Sequence, residues 1–183
     1  MSKNVLVAYA SKAGATAGIA EAIGDELRAH GHLVDVLDVA QVNDLTPYDA
    51  VVLGSAIYAR RWRPEAVHFL RHHTAELRDR QVWLFHSGPV GPDKDQAQTM
   101  PRAVRHAAEK IGATPAVTFA GRLTPETATG FLARHLATGT LSGDSRDWSK
   151  IRAWATDLDA ALTATNRSTW HRDPRPATEN YLG

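Results

Sequence analysis

Five short apolar runs, separated by helical stripes, constrain this chain more than any other feature of it. The runs are Val5–Ala10, Leu33–Val39, Ala50–Ser55, Val82–His86 and Pro115–Ala120. Most are continuous rather than alternating, the pattern of strands whose two faces are both covered by crossover helices. The segments between them carry helical spacing. Ile19, Ile23 and Leu27 precede a stop at Gly31, and Ala66, Phe69 and Leu70 follow Pro64. Met100, Val104, Ala107 and Ile111 precede Gly112, and Trp148, Ile151, Ala155, Leu158 and Leu162 form the last stripe, with Ser145 or Asp147 as its cap. Right-handed crossovers turn this alternation into an α/β three-layer sandwich around a five-stranded parallel sheet. The strand order 2-1-3-4-5 suits five strands with no visible sixth.

Sheets of this kind bind ligands beyond the carboxyl ends of their strands, at the point where the strand order reverses. Three loops should therefore share one rim: 11–16, 54–63 and 87–92. The first reads Ser11-Lys12-Ala13-Gly14-Ala15-Thr16. It combines two hydroxyls, a glycine that admits close backbone approach, and the positive end of a helix, which is a cradle for one phosphate. No G-x-x-x-x-G-K-[ST] string occurs, and Gly14 and Gly18 lack the G-x-G-x-x-G spacing, so a terminal monophosphate fits better than a pyrophosphate. The competing reading is a plain turn whose hydroxyls only cap the helix.

Composition removes several classes. At 183 residues the chain suits one domain, and the absence of cysteine excludes disulfides, thiolate chemistry and cysteine-ligated clusters. A net charge of +1 leaves no nucleic-acid footprint. The opening MSKNVLVAYA reads as a buried strand rather than a signal peptide, and a cytoplasmic protein is expected. Glu65, His68 and His72 share a helix face, but no second E-x-x-H accompanies them, so a solvated stripe is expected and not a metal site. Leu53–Ile57 lacks the second small residue of a G-x-S-x-G elbow. The domain is expected over 1–162, with an insert at 121–146 that holds an amphipathic piece, Phe131–Leu136. A polar tail, 163–183, carries Pro174, Pro176, Trp170 and Tyr181.

The first loop resembles the [ST]-x-[ST]-G-x-[ST] loop of the flavodoxin family, which holds the phosphate of flavin mononucleotide (FMN). Ser11, Gly14 and Thr16 match it, and Ala13 departs from it. A subgroup, the menaquinone-dependent protoporphyrinogen dehydrogenases, is similar in three further places: Tyr48–Ile57, Phe119-Ala120-Gly121-Arg122-Leu123, and Asp147-Trp148. The resemblance implies a flavodoxin-like strand order and FMN as cofactor. Ser11, Lys12, Ala13, Gly14, Ala15 and Thr16 would hold the phosphate. Ser55, Ala56, Ile57 and Tyr58, with Ser87, Gly88, Pro89, Val90 and Gly91, would clamp the ring, and Trp62 would lie over its edge. It further implies protoporphyrinogen oxidation with electrons passed to a quinone or similar acceptor, with Arg60, Arg61 and Arg63 receiving the propionates and Phe131–Leu136 bordering the substrate or, in peripheral contact, a membrane surface.

Flavin chemistry asks little of side chains, because the ring itself carries the electrons. Catalytic candidates are therefore residues beside the ring: Arg60, Arg61, Arg63 and His86. Three guanidiniums in four positions suit substrate carboxylates or a nicotinamide cofactor's phosphate, or form a plain solvated loop. Tyr58 and Trp62 either stack on the ring or cover the sheet end, and His86 either titrates beside the ring or is packed. A flavodoxin fold without its cofactor, for which Ala13 is the hint, stays open, as do two other functions. One is an FMN reductase fed by NAD(P)H; the other is an electron carrier that docks on a redox partner through the arginine loop.

Overall fold

Strand β1 (Asn4–Ala10) is apolar on both faces because the sheet runs on either side of it and helices cover it above and below. It pairs in parallel with β2 (Leu33–Asp38) on one side and β3 (Ala50–Tyr58) on the other, in register Val5↔Val34 and Val5↔Ala50. A two-residue β4 (Arg61–Trp62) folds back antiparallel on the end of β3. Strands β5 (Gln81–Ser87) and β6 (Val117–Phe119) continue the parallel sheet beyond β3. Leaving β4 aside, the order is the expected 2-1-3-4-5. The computed structural model describes residues 1–88, 90, 94–123 and 143–168. Pro89, Gly91, Phe131–Leu136, Trp170 and Tyr181 lie outside the described residues.

Alternate side chains of each strand point to opposite faces, which builds two cores from one sheet. Val5, Val7, Val52 and Phe85 face helix α1 (Ala15–Ala29), where they meet Ile19, Ile23 and Leu27. On the other face, Leu6, Ala8, Leu53 and Leu84 meet helices α2 (Pro64–His72), α3 (Thr74–Arg78) and α4 (Arg102–Ile111) through Phe69, Leu70, Leu77, Val104 and Ile111. Helix α5 (Trp148–Ser168) lies beside α1 and adds Ile151, Ala155, Leu158 and Leu162 to the first core. Each fully buried Val, Leu, Ile or Phe among them contributes about 1.5–3 kcal/mol relative to leaving it in water.

Several boundaries differ from the sequence expectation, most by one residue. β3 runs past Ser55 to Tyr58 because β4 supplies a second partner there, pairing Ile57↔Trp62 and Tyr58↔Arg61. β6 is shorter than Pro115–Ala120, since it is an edge strand that meets only the last residues of β5. Met100 lies ahead of α4, whose cap is Pro101. Its side chain still packs on the core, and its Sδ accepts from Ala116 N–H at 3.4 Å. Helix α5 continues to Ser168, into the segment expected as tail.

Of the two candidate caps for α5, Asp147 does the work: its Oδ1 accepts from the N–H groups of Ser149 and Lys150, both at 3.0 Å. Asp147→Ala should cost about 1 kcal/mol of stability, read as a lower urea midpoint at unchanged slope. The 121–146 insert leaves and re-enters the domain through a two-stranded neck, β7 (Arg122–Leu123) antiparallel to β8 (Gly143–Asp144). Among the described residues no helix is long and apolar enough to cross a membrane.

Candidate functional site

The loop after β1 enters α1 through Gly14, which has φ 77° and so occupies the left-handed region that suits glycine. Ser11 Oγ accepts from Gly14 N–H at 3.0 Å and folds the loop on itself. The first intrahelical bond runs from Gly18 N–H to Gly14 C=O at 3.1 Å. The amides of Ala15, Thr16 and Ala17 precede it, no side chain caps them, and the first turn contains no acid. These are donors without a helical partner at the positive end of a 15-residue helix, a setting that favours an oxyanion. Thr16 Oγ1 and Ser87 Oγ lie 2.7 Å apart in a buried hydrogen bond, although 71 positions separate them. The first and third loops are therefore tied at the base of the cradle. Lys12 is exposed and Ala13 half-buried.

The second loop buries the side chains at its start. Ser55 is buried; its Oγ donates to Ala56 C=O at 2.9 Å and accepts from Arg63 N–H at 3.0 Å. That hydroxyl holds the β3–β4 hairpin together. Ala56 and Ile57 are buried as well, which leaves Tyr58, 51% exposed, as the aromatic surface of the loop. Desolvation raises the Tyr58 hydroxyl pKa, against an opposing effect of the Arg63 charge, so the ring stays a neutral phenol at neutral pH. Ala59 and Arg60 form the turn with φ 46° and 60°, both left-handed and neither glycine, at a cost on the order of 1–2 kcal/mol each. The turn leaves Arg60 and Arg61 exposed.

Two expected site residues turn inward instead. Trp62, expected over a ring edge, is 4% exposed, and its Nε1–H donates to His86 Nδ1 at 3.1 Å. His86 is fully buried at the end of β5, and its Nε2 lies 2.8 Å from Thr118 Oγ1. Because indole N–H can only donate, Nδ1 must be the acceptor, and Nε2–H then donates to Thr118. Burial pushes the imidazole down to about 4, with a hydrogen bond involving the Gln98 backbone acting weakly the other way. His86 is thus a neutral, packed residue and not a group that titrates beside a ligand. Arg63 also differs from its neighbours: Nη2 pairs with Glu65 Oε1 at 2.6 Å, and Nε is buried without a partner among the described residues.

In the third loop Ser87 is buried and Gly88 N–H donates to Phe119 C=O at 3.1 Å. A Cβ on Gly121 would lie 2.9 Å from Gly88 C=O and 3.5 Å from Val90 Cγ1, so the chain leaving β6 presses directly on this loop. Two rim residues escaped the sequence reading. Periodicity gives Thr118 only as strand, and the string Phe119-Ala120-Gly121-Arg122-Leu123 assigns Arg122 no role of its own. Arg122 Nη2 reaches Ala13 C=O at 3.3 Å, a contact between residues 109 apart. A cleft of about 540 Å³ lined by Val42, Phe69, His68 and His72 contains no residue of the three loops.

Residues 6–134 match the family described as a flavodoxin domain. No curated protein sequence matches the chain. Among solved structures it is similar to a flavodoxin from the domain Archaea, at 15% identity and TM-score 0.59, over 87% of this chain and 99% of that one. It is similar also to oxidised flavodoxin 2 from Bacillus cereus, at 20% identity and TM-score 0.56, with the same coverage. The rubredoxin oxygen:oxidoreductase of the anaerobe Desulfovibrio gigas aligns at 13% identity and TM-score 0.62 over 90% of this chain, which spans 37% of that protein's length. At these identities the structural matches establish the fold.

Proposed function

The chain belongs to the flavodoxin domain family, whose members imply a flavin cofactor, and from that premise we propose that it binds FMN and acts as an FMN-dependent oxidoreductase. The observation that carries this reading is the cradle at the start of α1. Left-handed Gly14, uncapped amides at Ala15 to Ala17, and the hydroxyls of Ser11 and Thr16 together suit a phosphate monoester. Ser11 Oγ accepts from the loop and keeps its own proton to donate. The isoalloxazine ring, when bound, supplies the electron-accepting chemistry. The chain supplies position: Tyr58 offers a flat neutral surface, and the Thr16–Ser87 bond holds the third loop against the first.

The finer reading is protoporphyrinogen oxidation with electrons passed to a quinone. It rests on the resemblance of Tyr48–Ile57, Phe119-Ala120-Gly121-Arg122-Leu123 and Asp147-Trp148 to that subgroup. Arg60 and Arg61, exposed on a strained turn, are the groups placed to meet two propionates, while Arg63 is committed to Glu65. The same pair of exposed guanidiniums supports a second reading, an electron carrier that docks on an acidic partner.

Visible absorption of the protein purified without added cofactor, followed by FMN titration and anaerobic addition of protoporphyrinogen, tests both levels. Flavin bands, or tight uptake of FMN, are expected, and a protein that stays colourless with added FMN overturns the cofactor reading. Rapid bleaching by the porphyrinogen, slowed in Arg60→Ala/Arg61→Ala, is the result expected of the enzyme. Bleaching only by a reduced protein, with rates that fall steeply as salt rises, would replace it with the carrier.

A further inference from the structure

Resting on the FMN reading above, we infer that Arg122, at the neck of the insert, is the positive charge that makes this cradle select a phosphorylated flavin over riboflavin. Three observations carry the inference. First, the guanidinium lies on the loop itself: Nη2 contacts Ala13 C=O at 3.3 Å, and a Cβ on Gly14 would stand 3.3 Å from the same nitrogen. The phosphate loop thus has a cation against its backbone in addition to its amides and hydroxyls.

Second, that cation is poorly neutralised by the described residues. The neck carries two guanidiniums and one carboxylate, with Arg122 opposite Asp144 in the β7–β8 pair. Arg146 takes the carboxylate from both sides, Nε to Oδ1 at 2.8 Å and Nη2 to Oδ2 at 2.5 Å. It also stacks on Trp148, with Cζ 4.4 Å from the ring centroid. The Arg146 hydrogen bond, and to a lesser degree the charges of Arg146 and Arg122, hold the Asp144 carboxyl below its usual range, so it stays ionised and paired. Arg122 makes one long bond among the described residues, to a neutral carbonyl. Among the described residues its Nε is buried without a hydrogen-bond partner. A half-buried guanidinium left this way is unfavourable unless an anion completes it.

Third, the placement is built. Ser145 N–H donates to Gly121 C=O at 3.1 Å beside the β7–β8 pair, and Gly121 is fixed by its contact with Gly88. The residue is held at the rim by the neck of the insert, so the insert's attachment and the phosphate site share one side chain. The ligand chemistry is a phosphate monoester dianion, which a guanidinium fork meets with paired N–H donors.

The test compares FMN and riboflavin affinities, by quenching of flavin fluorescence, for the full chain and for Arg122→Met and Arg122→Lys. Wild type should prefer FMN. Arg122→Met should lose about tenfold or more in FMN affinity while its riboflavin affinity is unchanged. It should also flatten the salt dependence of FMN binding. Arg122→Lys, which keeps the charge without the fork, should recover part of the loss. Riboflavin binding serves as the internal measure that the variant is folded. An unchanged FMN-to-riboflavin ratio in Arg122→Met overturns the inference while leaving the FMN reading intact. An equal loss for both flavins also overturns it, by showing a structural role only. Wild type that binds neither flavin removes both readings.

Discussion

Gly54→Ala is expected to destabilise this protein by about 1–3 kcal/mol, a large effect for one methyl group. Gly54 pairs in register with Phe85 on the neighbouring strand, and the Phe85 ring folds over it. A Cβ there would stand 2.6 Å from Phe85 Cε2 and closer still to Cζ and Cε1. The ring has no easy retreat. It is fully buried, and its centroid lies 5.8 Å from that of Phe119 and 6.0 Å from that of Trp154, both edge-on. Accommodation requires an off-rotamer ring or a shift of β5, and β5 carries His86 and Ser87 to the rim. Phe85→Leu removes the obstructing atoms, so Gly54→Ala should cost at least about 1 kcal/mol less in that background. Urea unfolding of the four proteins of the cycle measures this. Single-mutant effects that add within about 0.5 kcal/mol would show that the ring and the glycine are not coupled.

The second large effect is a loss of stability in mild acid that traces to His86. In the folded protein burial holds its pKa near 4, against an ordinary 6.5. Between those values the unfolded chain binds more protons than the folded one, so stability falls as pH drops from about 6.5 towards 4 and is fully present above 6.5. A depression of that size corresponds to about 3 kcal/mol across the window. His86→Gln separates this from the other titrating groups. Its amide oxygen can accept from Trp62 Nε1–H and its amide nitrogen can donate to Thr118, which reproduces the neutral tautomer without a titrating site. The difference in unfolding free energy between wild type and His86→Gln should shrink or change sign as pH falls through this window. A difference that stays constant from pH 7 to pH 4 would mean that His86 does not resist protonation.

Both effects concern residues that periodicity places correctly and interprets poorly. Gly54 reads as one small residue in an apolar run, and nothing in the run reveals that an aromatic ring on another strand needs its missing side chain. His86 reads as a polar residue at a strand end beside the ligand rim, where titration is a reasonable expectation. Its fate depends on Trp62, 24 positions away, and on Thr118, 32 away. Trp62 in turn looks like an exposed aromatic of a basic loop until β4 turns it inward. Ser55 follows the same course, since its hydroxyl is taken by the returning backbone at Arg63.

What the amino-acid order determined by itself is what local physics decides. Short apolar runs rich in Val, Leu and Ile and bounded by turn signals are the pattern of strands covered on two faces, and the 3.6-residue stripes between them are the pattern of their covering helices. That alternation leads to the sheet order, and the sheet order names the rim loops. The hydroxyls and Gly14 at the start of α1 are legible for the same reason, because a helix N-terminus with small residues is a local object. Tertiary structure alone decided which rim side chains face a ligand and which face each other. The Thr16–Ser87 bond, the Trp62–His86–Thr118 chain and the reach of Arg122 to Ala13 join residues separated by 24 to 109 positions. Such pairings are set by how closely the strand ends and returning loops pack, a distance that no local spacing encodes.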